Sequence, residues 1–202
     1  MKTSTSLTLA FGIAFISLTT VPIRAQAPAA PAIPPAQITI ALQKIGVEAI
    51  RAKQTRVGGG DFDDKNERIT FTVKLTNPDA KIPLNDLKAE FYVFTQDIVD
   101  RKVYRLLGKD ESPFSLPPRG MHTFTTAEVS TMYDTTDARF GSRYDGWAIV
   151  IRDAAGKIVY KKATTPNWAN GAEKLNQLTQ GSAFDRDLKP LRTAGGTRTI
   201  IR

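Results

Sequence analysis

Apolar and polar residues alternate along the stretch from Arg68 to Thr76. The apolar positions of this stretch are Ile69, Phe71, Val73 and Leu75. Successive side chains of a β-strand point to opposite faces, so this pattern predicts a strand with one buried and one wet face. The dipeptide Asn77-Pro78 ends the predicted strand, because proline has no N–H to donate to a sheet.

Further β-prone segments follow at short spacing. Residues 87–94 alternate in the same way but are apolar on both sides in their second half, which is typical of a central strand. A shorter strand is predicted over residues 103–107, and a turn region is predicted over residues 112–120, from Ser112-Pro113 onward. Residues 121–129 are rich in β-branched threonine and predict the next strand.

The clearest pattern of two paired strands lies later in the chain. Residues 147–152 and 157–161 are β-prone and flank a short loop that contains Gly156, which predicts a β-hairpin. This hairpin is apolar on both sides, so it is either covered by the C-terminal segment or open to a partner strand. We expect coverage, and the covering residues would be Leu175, Leu178 and Phe184.

The first β segment is ambiguous. The apolar residues of 38–42 share one parity, and those of 45–49 share the other. One extra residue near Gly46 restores a single inward face, so we predict a first strand with a bulge there. A helix over residues 36–45 is the alternative. The chain then has about seven short strands, which favours an all-β fold, an antiparallel β-sandwich, over a barrel or an α/β fold.

The N-terminus has the pattern of a secretory signal peptide, predicted over residues 1–25. Lys2 precedes an apolar run over residues 7–16 that is too short to span a bilayer comfortably, so no retained transmembrane segment is expected. We predict cleavage after Ala25, because cleavage after Ala27 would place Pro28 directly behind the cut bond. The mature chain is then expected in the periplasm or on the outer surface of a bacterium.

Composition divides the remaining chain into three parts. Residues 26–37 are mostly alanine and proline, which predicts an extended tether. Residues 38–170 carry the predicted β-sandwich. Residues 171–202 predict a short helix or cap followed by a flexible basic tail.

The sequence contains no cysteine. This excludes disulfides, thiolate metal sites and a lipidated cysteine, and it fits a bacterial envelope protein that is held together by its core alone. The formal net charge is +8 at pH 7, which favours acidic partners such as an envelope protein or an acidic surface polymer. Nucleic acid is not expected as a partner after export.

Residues that support catalysis or metal binding are sparse. His122 is the single histidine, so a Ser-His-Asp triad or a His-ligated metal depends on one ring, which we expect on the wet face opposite Met121. The acidic residues between Asp61 and Glu67 suggest Ca²⁺ binding, but Lys65 stands where an EF-hand places its third ligand. A solvated turn is the preferred interpretation. We therefore predict no enzyme, no metal and no cofactor.

Aromatic and basic residues are the candidate binding residues. The aromatic candidates are Trp168 and Tyr133, since aromatic rings suit sugar rings or an extended partner chain. Trp168 is expected at the surface of a loop, and the alternative is that it plugs the open end of the sandwich. The basic candidates are Lys157, Lys161, Lys162, Arg192 and Arg198. Core packing is the preferred interpretation of Trp147 and Tyr160, which lie in predicted strands.

Three features of the sequence resemble an immunoglobulin-like sandwich. They are the strand order, the Pro117-Pro118-Arg119-Gly120 turn before a threonine-rich strand, and Tyr144-Asp145-Gly146-Trp147 ahead of the final hairpin. Residues 69–160 are similar to small exported immunoglobulin-like proteins of mucus-dwelling bacteria associated with type IV pilus-like machinery. Unlike antibody-type domains, the chain has no inter-sheet disulfide and no tryptophan on the third strand. The resemblance implies a non-enzymatic protein-interaction module of the bacterial envelope, accessory to a pilus-like or secretion assembly. A glycan-binding protein or adhesin is the alternative.

Overall fold

The computed structural model of this protein describes residues 33–57, 64–134 and 140–191. The predicted signal peptide, most of the predicted tether and the predicted tail from residue 192 onward lie outside these residues. The described part is mostly β, with nine strands and three short helices. In chain order the elements are α1 (Pro35–Gln43), β1 (Gly46–Val57), β2 (Asp64–Thr76), β3 (Leu84–Asp97), β4 (Tyr104–Leu116), β5 (Met121–Thr125), β6 (Val129–Asp134), β7 (Ser142–Arg152), β8 (Ile158–Ala163), α2 (Pro166–Asn170), α3 (Ala172–Leu175) and β9 (Ala183–Phe184).

The strands form two antiparallel sheets. The small sheet has the order β1-β2-β5, and β6 follows β5 along the same side of β2. The large sheet has the order β8-β7-β3-β4-β9. A bridge between Tyr133 and Gly141, together with a hydrogen bond from the Thr131 hydroxyl to the Ser142 carbonyl, joins β6 to the start of β7. This side of the fold is therefore curved as a half-barrel.

The alternation in β2 is confirmed. Its predicted inward residues are all buried, and they belong to a first apolar cluster that also includes residues of β3, β4 and β7. The Phe71 ring of β2 lies 5.2 Å from the Phe91 ring of β3, measured between centroids. The two sheets thus share one core, as the one-face pattern of β2 requires.

The large sheet is buried on its other face as well. Phe94 of β3 lies 4.3 Å from Trp168 of α2 and 5.8 Å from Phe184 of β9, between ring centroids. Together with Leu175 and Leu188, these residues form a second apolar cluster that covers Val150 of the predicted hairpin. The hairpin itself is β7 and β8. Both the hairpin and its coverage by the C-terminal segment are confirmed.

The prediction of a bulged strand over the first apolar segment is wrong, and the helical alternative is correct. Pro35 occupies the first turn of α1, where its fixed φ suits a helix and its missing N–H costs nothing. Ile38 and Leu42, one turn apart, are partly buried against the first cluster, and Ala41 and Ile45 are fully buried in it. This spacing has the period of a helix rather than a strand.

The turn predicted from Ser112-Pro113 is also misplaced. β4 continues through both residues to Leu116. Pro113 is tolerated because β9 pairs only with Tyr104 and Arg105, which leaves the rest of β4 on the edge of its sheet. The chain turns later, where the Gly120 N–H donates to the Pro117 carbonyl.

The single threonine-rich strand is two strands, β5 and β6, with a break at residues 126–128. At the break, the N–H of Phe71 donates to the Thr126 hydroxyl, and the N–H of Thr126 donates to the Phe71 carbonyl. Ile69 lies opposite Val129, whereas Thr72 lies opposite Thr125. The partner strand therefore carries one extra residue, which is a bulge that the threonine pattern alone did not indicate.

Truncation tests the role of the C-terminal segment. A chain that ends at Thr165 lacks α2, α3 and β9, so Phe94 and Val150 lose their cover and the protein should aggregate. A chain that ends at Leu191 should keep the melting temperature of the full chain, because all described residues of the second cluster are retained. Thermal denaturation and size-exclusion chromatography measure both. A fall of several degrees in the chain ending at Leu191 would show that the final residues belong to the fold.

Candidate functional site

β8 is an edge strand of the large sheet. It pairs with β7 on one side, and within the described residues no strand pairs with its other side. The N–H of Thr164 donates to the Trp147 carbonyl at 2.9 Å. Because the backbone groups of successive residues in an antiparallel strand point in alternate directions, Lys161 and Ala163 direct their N–H and C=O groups away from β7.

A cleft of about 490 Å³ lies beside this strand. Its walls come from α1, from the start of β3 and from the β7–β8 hairpin. The apolar residues that line it are Pro35, Ile38, Leu42, Leu84, Leu87, Ile158 and Val159. A second cavity, of about 310 Å³, continues along β8 to Lys161 and shares Gln43, Ile158 and Val159 with the cleft. We call the two cavities together the β8 groove.

Lysines border the β8 groove. Lys157 lines the cleft, Lys161 lines the second cavity, and both are exposed. The acidic residue that lines the cleft is Asp153, and its Oδ1 accepts the N–H groups of Ala155 and Lys157 at 3.0 and 2.9 Å. The carboxylate keeps its charge in these hydrogen bonds, but the two ammonium groups outnumber it, so the border of the groove is net positive.

The structure brings three of the predicted binding residues together at the hairpin. Lys157 and Lys161 are free to meet a ligand, whereas the Lys162 ammonium donates to the Val47 carbonyl at 2.9 Å. Lys162 therefore ties β8 to the start of β1. Arg192 and Arg198 lie outside the described residues.

The expectation that Trp168 is a surface residue is wrong. Its side chain is 0% exposed and packs against Phe94 and Tyr104. A Cβ at Gly146 would lie 2.9 Å from the Trp168 ring, so the glycine permits this close packing of α2 on β7. The indole Nε1 is buried without a hydrogen-bond partner. Trp168 is a core residue in this structure.

Tyr133 lies in β6 and is half-buried. Its hydroxyl donates to the Glu67 carboxylate at 2.8 Å, and burial together with that carboxylate raises the pKa of Tyr133. Glu67 is itself buried and forms an ion pair with Lys53. The phenol therefore stabilises the small sheet, and its polar end is already occupied.

The solvated turn predicted between Asp61 and Glu67 is only partly described. β2 begins at Asp64, so the second half of this acidic segment belongs to a strand rather than a turn. Asp61 and Asp63 lie outside the described residues. Within the described ranges, no group of three or more His, Cys, Asp or Glu side chains is placed to hold a metal ion.

The wet position predicted for His122 is wrong, since Met121 is the exposed residue and His122 is half-buried. The imidazole lies between the rings of Phe114 and Phe124, at centroid distances of 5.4 and 6.0 Å. Its Nε2 is 3.0 Å from the Ser112 hydroxyl. No carboxylate of the described residues contacts the ring, so this part of the chain provides no third member for a catalytic triad.

A buried charged network on the outer face of the large sheet was not foreseen. Glu90 has a side chain that is 4% exposed, and it contacts Tyr92, Lys88 and Arg152. The Tyr92 hydroxyl donates to Glu90 Oε2 at 2.9 Å, Arg152 Nε donates to the same oxygen at 3.1 Å, and Lys88 Nζ lies 3.1 Å from Oε1. The available signal was a glutamate directly before the apolar run Phe91-Tyr92-Val93-Phe94 of β3.

The network holds Glu90 ionised. Burial alone would raise the pKa of Glu90, but the hydrogen bonds from Tyr92, Lys88 and Arg152 outweigh it, so the pKa lies below its ordinary value. Burial and the adjacent carboxylate raise the pKa of Tyr92. The network lies on the face of the large sheet opposite the first cluster, because its Tyr92 belongs to the second cluster.

Comparison with known proteins defines no family. No protein-family model and no curated protein matches this chain. A crystal structure of a protein from the mucus bacterium Akkermansia muciniphila is distantly similar, at 13% identity and a TM-score of 0.29, over 60% of this chain and 71% of that one. An X-ray structure of a Northeast Structural Genomics Consortium target is similar at 11% identity and a TM-score of 0.30, over 59% of this chain and 84% of that one.

Within the described residues, no helix has the length and hydrophobicity that crossing a membrane requires.

Replacing Glu90 tests the buried network. Glu90→Gln keeps the shape but leaves the largely buried Arg152 without its counter-charge, so it should lower the free energy of unfolding by about 3–5 kcal/mol. The control is Glu111→Gln, which removes a half-exposed partner of Lys88 and should cost less than about 1 kcal/mol. Urea denaturation measures both. Equal losses in the two variants would contradict this role of Glu90.

The lowered pKa of Glu90 predicts that the stability of the protein depends on pH. A carboxylate whose folded-state pKa is below its ordinary value of 4.5 stabilises the fold above that pH, and the stabilisation is lost as the pH falls through the folded-state pKa. The melting temperature of the wild type should therefore fall between about pH 5 and pH 2. The fall should be smaller in Glu90→Gln, which lacks the titrating group.

Replacing Trp168 tests whether its side chain acts in core packing or in surface recognition. Trp168→Ala should destabilise the protein by about 3–5 kcal/mol, because it empties the space between Phe94 and Tyr104. Trp168→Phe should cost much less, since it keeps an aromatic ring and removes an N–H that is buried without an acceptor. Chemical denaturation measures the two losses. Similar losses in the two variants would contradict a packing role of the aromatic ring.

Proposed function

We propose that this chain is an exported, non-enzymatic protein-interaction module of a bacterial envelope, and that the β8 groove is its binding surface. The observation that carries the proposal is the unpaired edge of β8 beside an apolar cleft. Edge strands present unsatisfied N–H and C=O groups that readily accept another strand. A cleft of about 490 Å³ next to such an edge adds a place for side chains of the partner.

The proposal places the module outside the cytoplasm. Its support is the signal-peptide pattern of residues 1–25 and the lack of cysteine in the sequence. The finer assignments, an immunoglobulin-like sandwich and an accessory role in a pilus-like or secretion assembly, are proposed on the resemblance of residues 69–160. The two-sheet core and the β7–β8 hairpin are compatible with that class.

The alternative function, glycan binding, has less support. Its two aromatic candidates are Trp168, which is buried, and Tyr133, whose hydroxyl is bonded to Glu67. Sugar-binding sites generally use exposed aromatic faces. A glycan array distinguishes the two functions, and specific binding to one glycan class would favour the alternative.

Site-specific cross-linking tests the proposed binding surface. A photo-reactive amino acid in place of Val159, which lines both cavities of the β8 groove, should yield a discrete cross-linked product in intact cell envelopes. The control places the same group at Val99, an apolar residue that is 62% exposed in the β3–β4 loop. Mass spectrometry identifies the product. Equal cross-linking from both positions, or none from Val159, would contradict the proposed surface.

A further inference from the structure

We infer that the β8 groove takes an extended, acidic segment of a partner protein, which adds to β8 as a further strand and places an apolar side chain in the cleft. This inference rests on the proposed function and specifies the chemistry of its ligand. Three features of the groove carry it: the direction of the free backbone groups, the charge at its border, and the apolar lining between α1 and β3.

The backbone of β8 determines that the ligand is an extended chain. Lys161 and Ala163 lie opposite Val150 and Ala148 of β7 but direct their own N–H and C=O groups outward. A strand laid along this edge satisfies those groups with its own backbone, which is the usual basis of strand addition. A ligand without amide groups, such as a polysaccharide, does not reproduce that ladder.

Charge selects an acidic partner and disfavours a second copy of this chain. Lys157 and Lys161 border the groove with two positive charges, against the single negative charge of Asp153, whose Oδ1 accepts backbone N–H groups of the turn. If the β8 strands of two copies paired, their lysines would approach one another, and like charges across a strand pair are destabilising. Carboxylates on an incoming strand relieve the same repulsion. The lysines thus disfavour the pairing of two β8 edges and favour an acidic ligand.

The cleft provides an anchor position within the segment. Ile38 and Leu42 of α1, Leu84 and Leu87 of β3, and Ile158 of β8 all line it. One large apolar side chain fits a space of this size and removes water from these residues. Because side chains alternate along a strand, the segment that matches the groove alternates acidic and apolar residues.

Binding of synthetic peptides tests the inference. A fluorescein-labelled octapeptide of alternating glutamate and valine should bind the full-length protein in fluorescence anisotropy, and the matched lysine–valine peptide should not. The variant Lys157→Glu/Lys161→Glu should weaken binding about tenfold or more. The control Lys174→Glu/Lys189→Glu makes the same change in net charge at exposed residues outside the β8 groove, and it should change the affinity less than about twofold. Melting temperatures verify that both variants fold.

Two further ligands separate strand addition from simple charge attraction. Two peptides are N-methylated at alternate backbone nitrogens, one in each register. Each keeps its charge but loses the N–H groups of one edge. The peptide whose methylated edge faces β8 should not bind. Equal binding by both methylated peptides would overturn strand addition. Alginate, an acidic polysaccharide, should not compete with the peptide at equal carboxylate concentration. Competition by alginate that depends on Lys157 and Lys161 would overturn the choice of a peptide ligand.

The outcomes also separate this inference from the proposed function. A partner that cross-links through Val159, together with no affinity for the acidic peptide in any register, overturns the inference and leaves the interaction module intact. Peptide binding without any cross-linked partner in envelopes overturns the proposed function, but it leaves intact the inference that the β8 groove binds an acidic extended segment.

Discussion

The central strand β3 has no solvent-exposed face over half of its length. From Ala89 to Thr95 every residue is buried, so the large sheet must be covered on both sides. The small sheet and α1 supply one cover, and α2, α3 and β9 supply the other. The positions of the helices, the burial of Trp168 and the open edge of β8 all follow from this requirement, because the covers occupy the faces of the sheet and leave its edge exposed.

Strand periodicity was sufficient to predict much of this arrangement. The one-faced pattern of β2, the apolar second half of β3 and the β7–β8 hairpin each depend on residues close in sequence, so their signals are local. Coverage by Leu175 and Phe184 was predictable for a related reason, since a hairpin that is apolar on both sides requires a cover. The lysines at the groove were foreseen as binding candidates, but the cleft beside them was not.

The failures have a shared physical cause, which is that the deciding contact lies far away in sequence. The helix α1 forms because one of its faces packs on a core that includes Phe91 and Ile151. Pro113 stays in a strand because β9 pairs with only the first residues of β4. Trp168 is buried because Gly146 leaves space for its ring. For Pro113 and Trp168, neither propensity nor spacing within one segment contains this information. For α1 the helical spacing was present in the sequence, but it did not by itself exclude a bulged strand.

The second apolar cluster joins parts of the chain that lie far apart in sequence. Its sheet side includes Val150, whereas Leu188 belongs to the cover. While the C-terminal segment is detached, Tyr92 and Phe94 of the large sheet lose their cover, and a holding chaperone would compete with that segment for the same face. Docking of the C-terminal segment therefore decides whether the large sheet presents an apolar face to other proteins or a closed one.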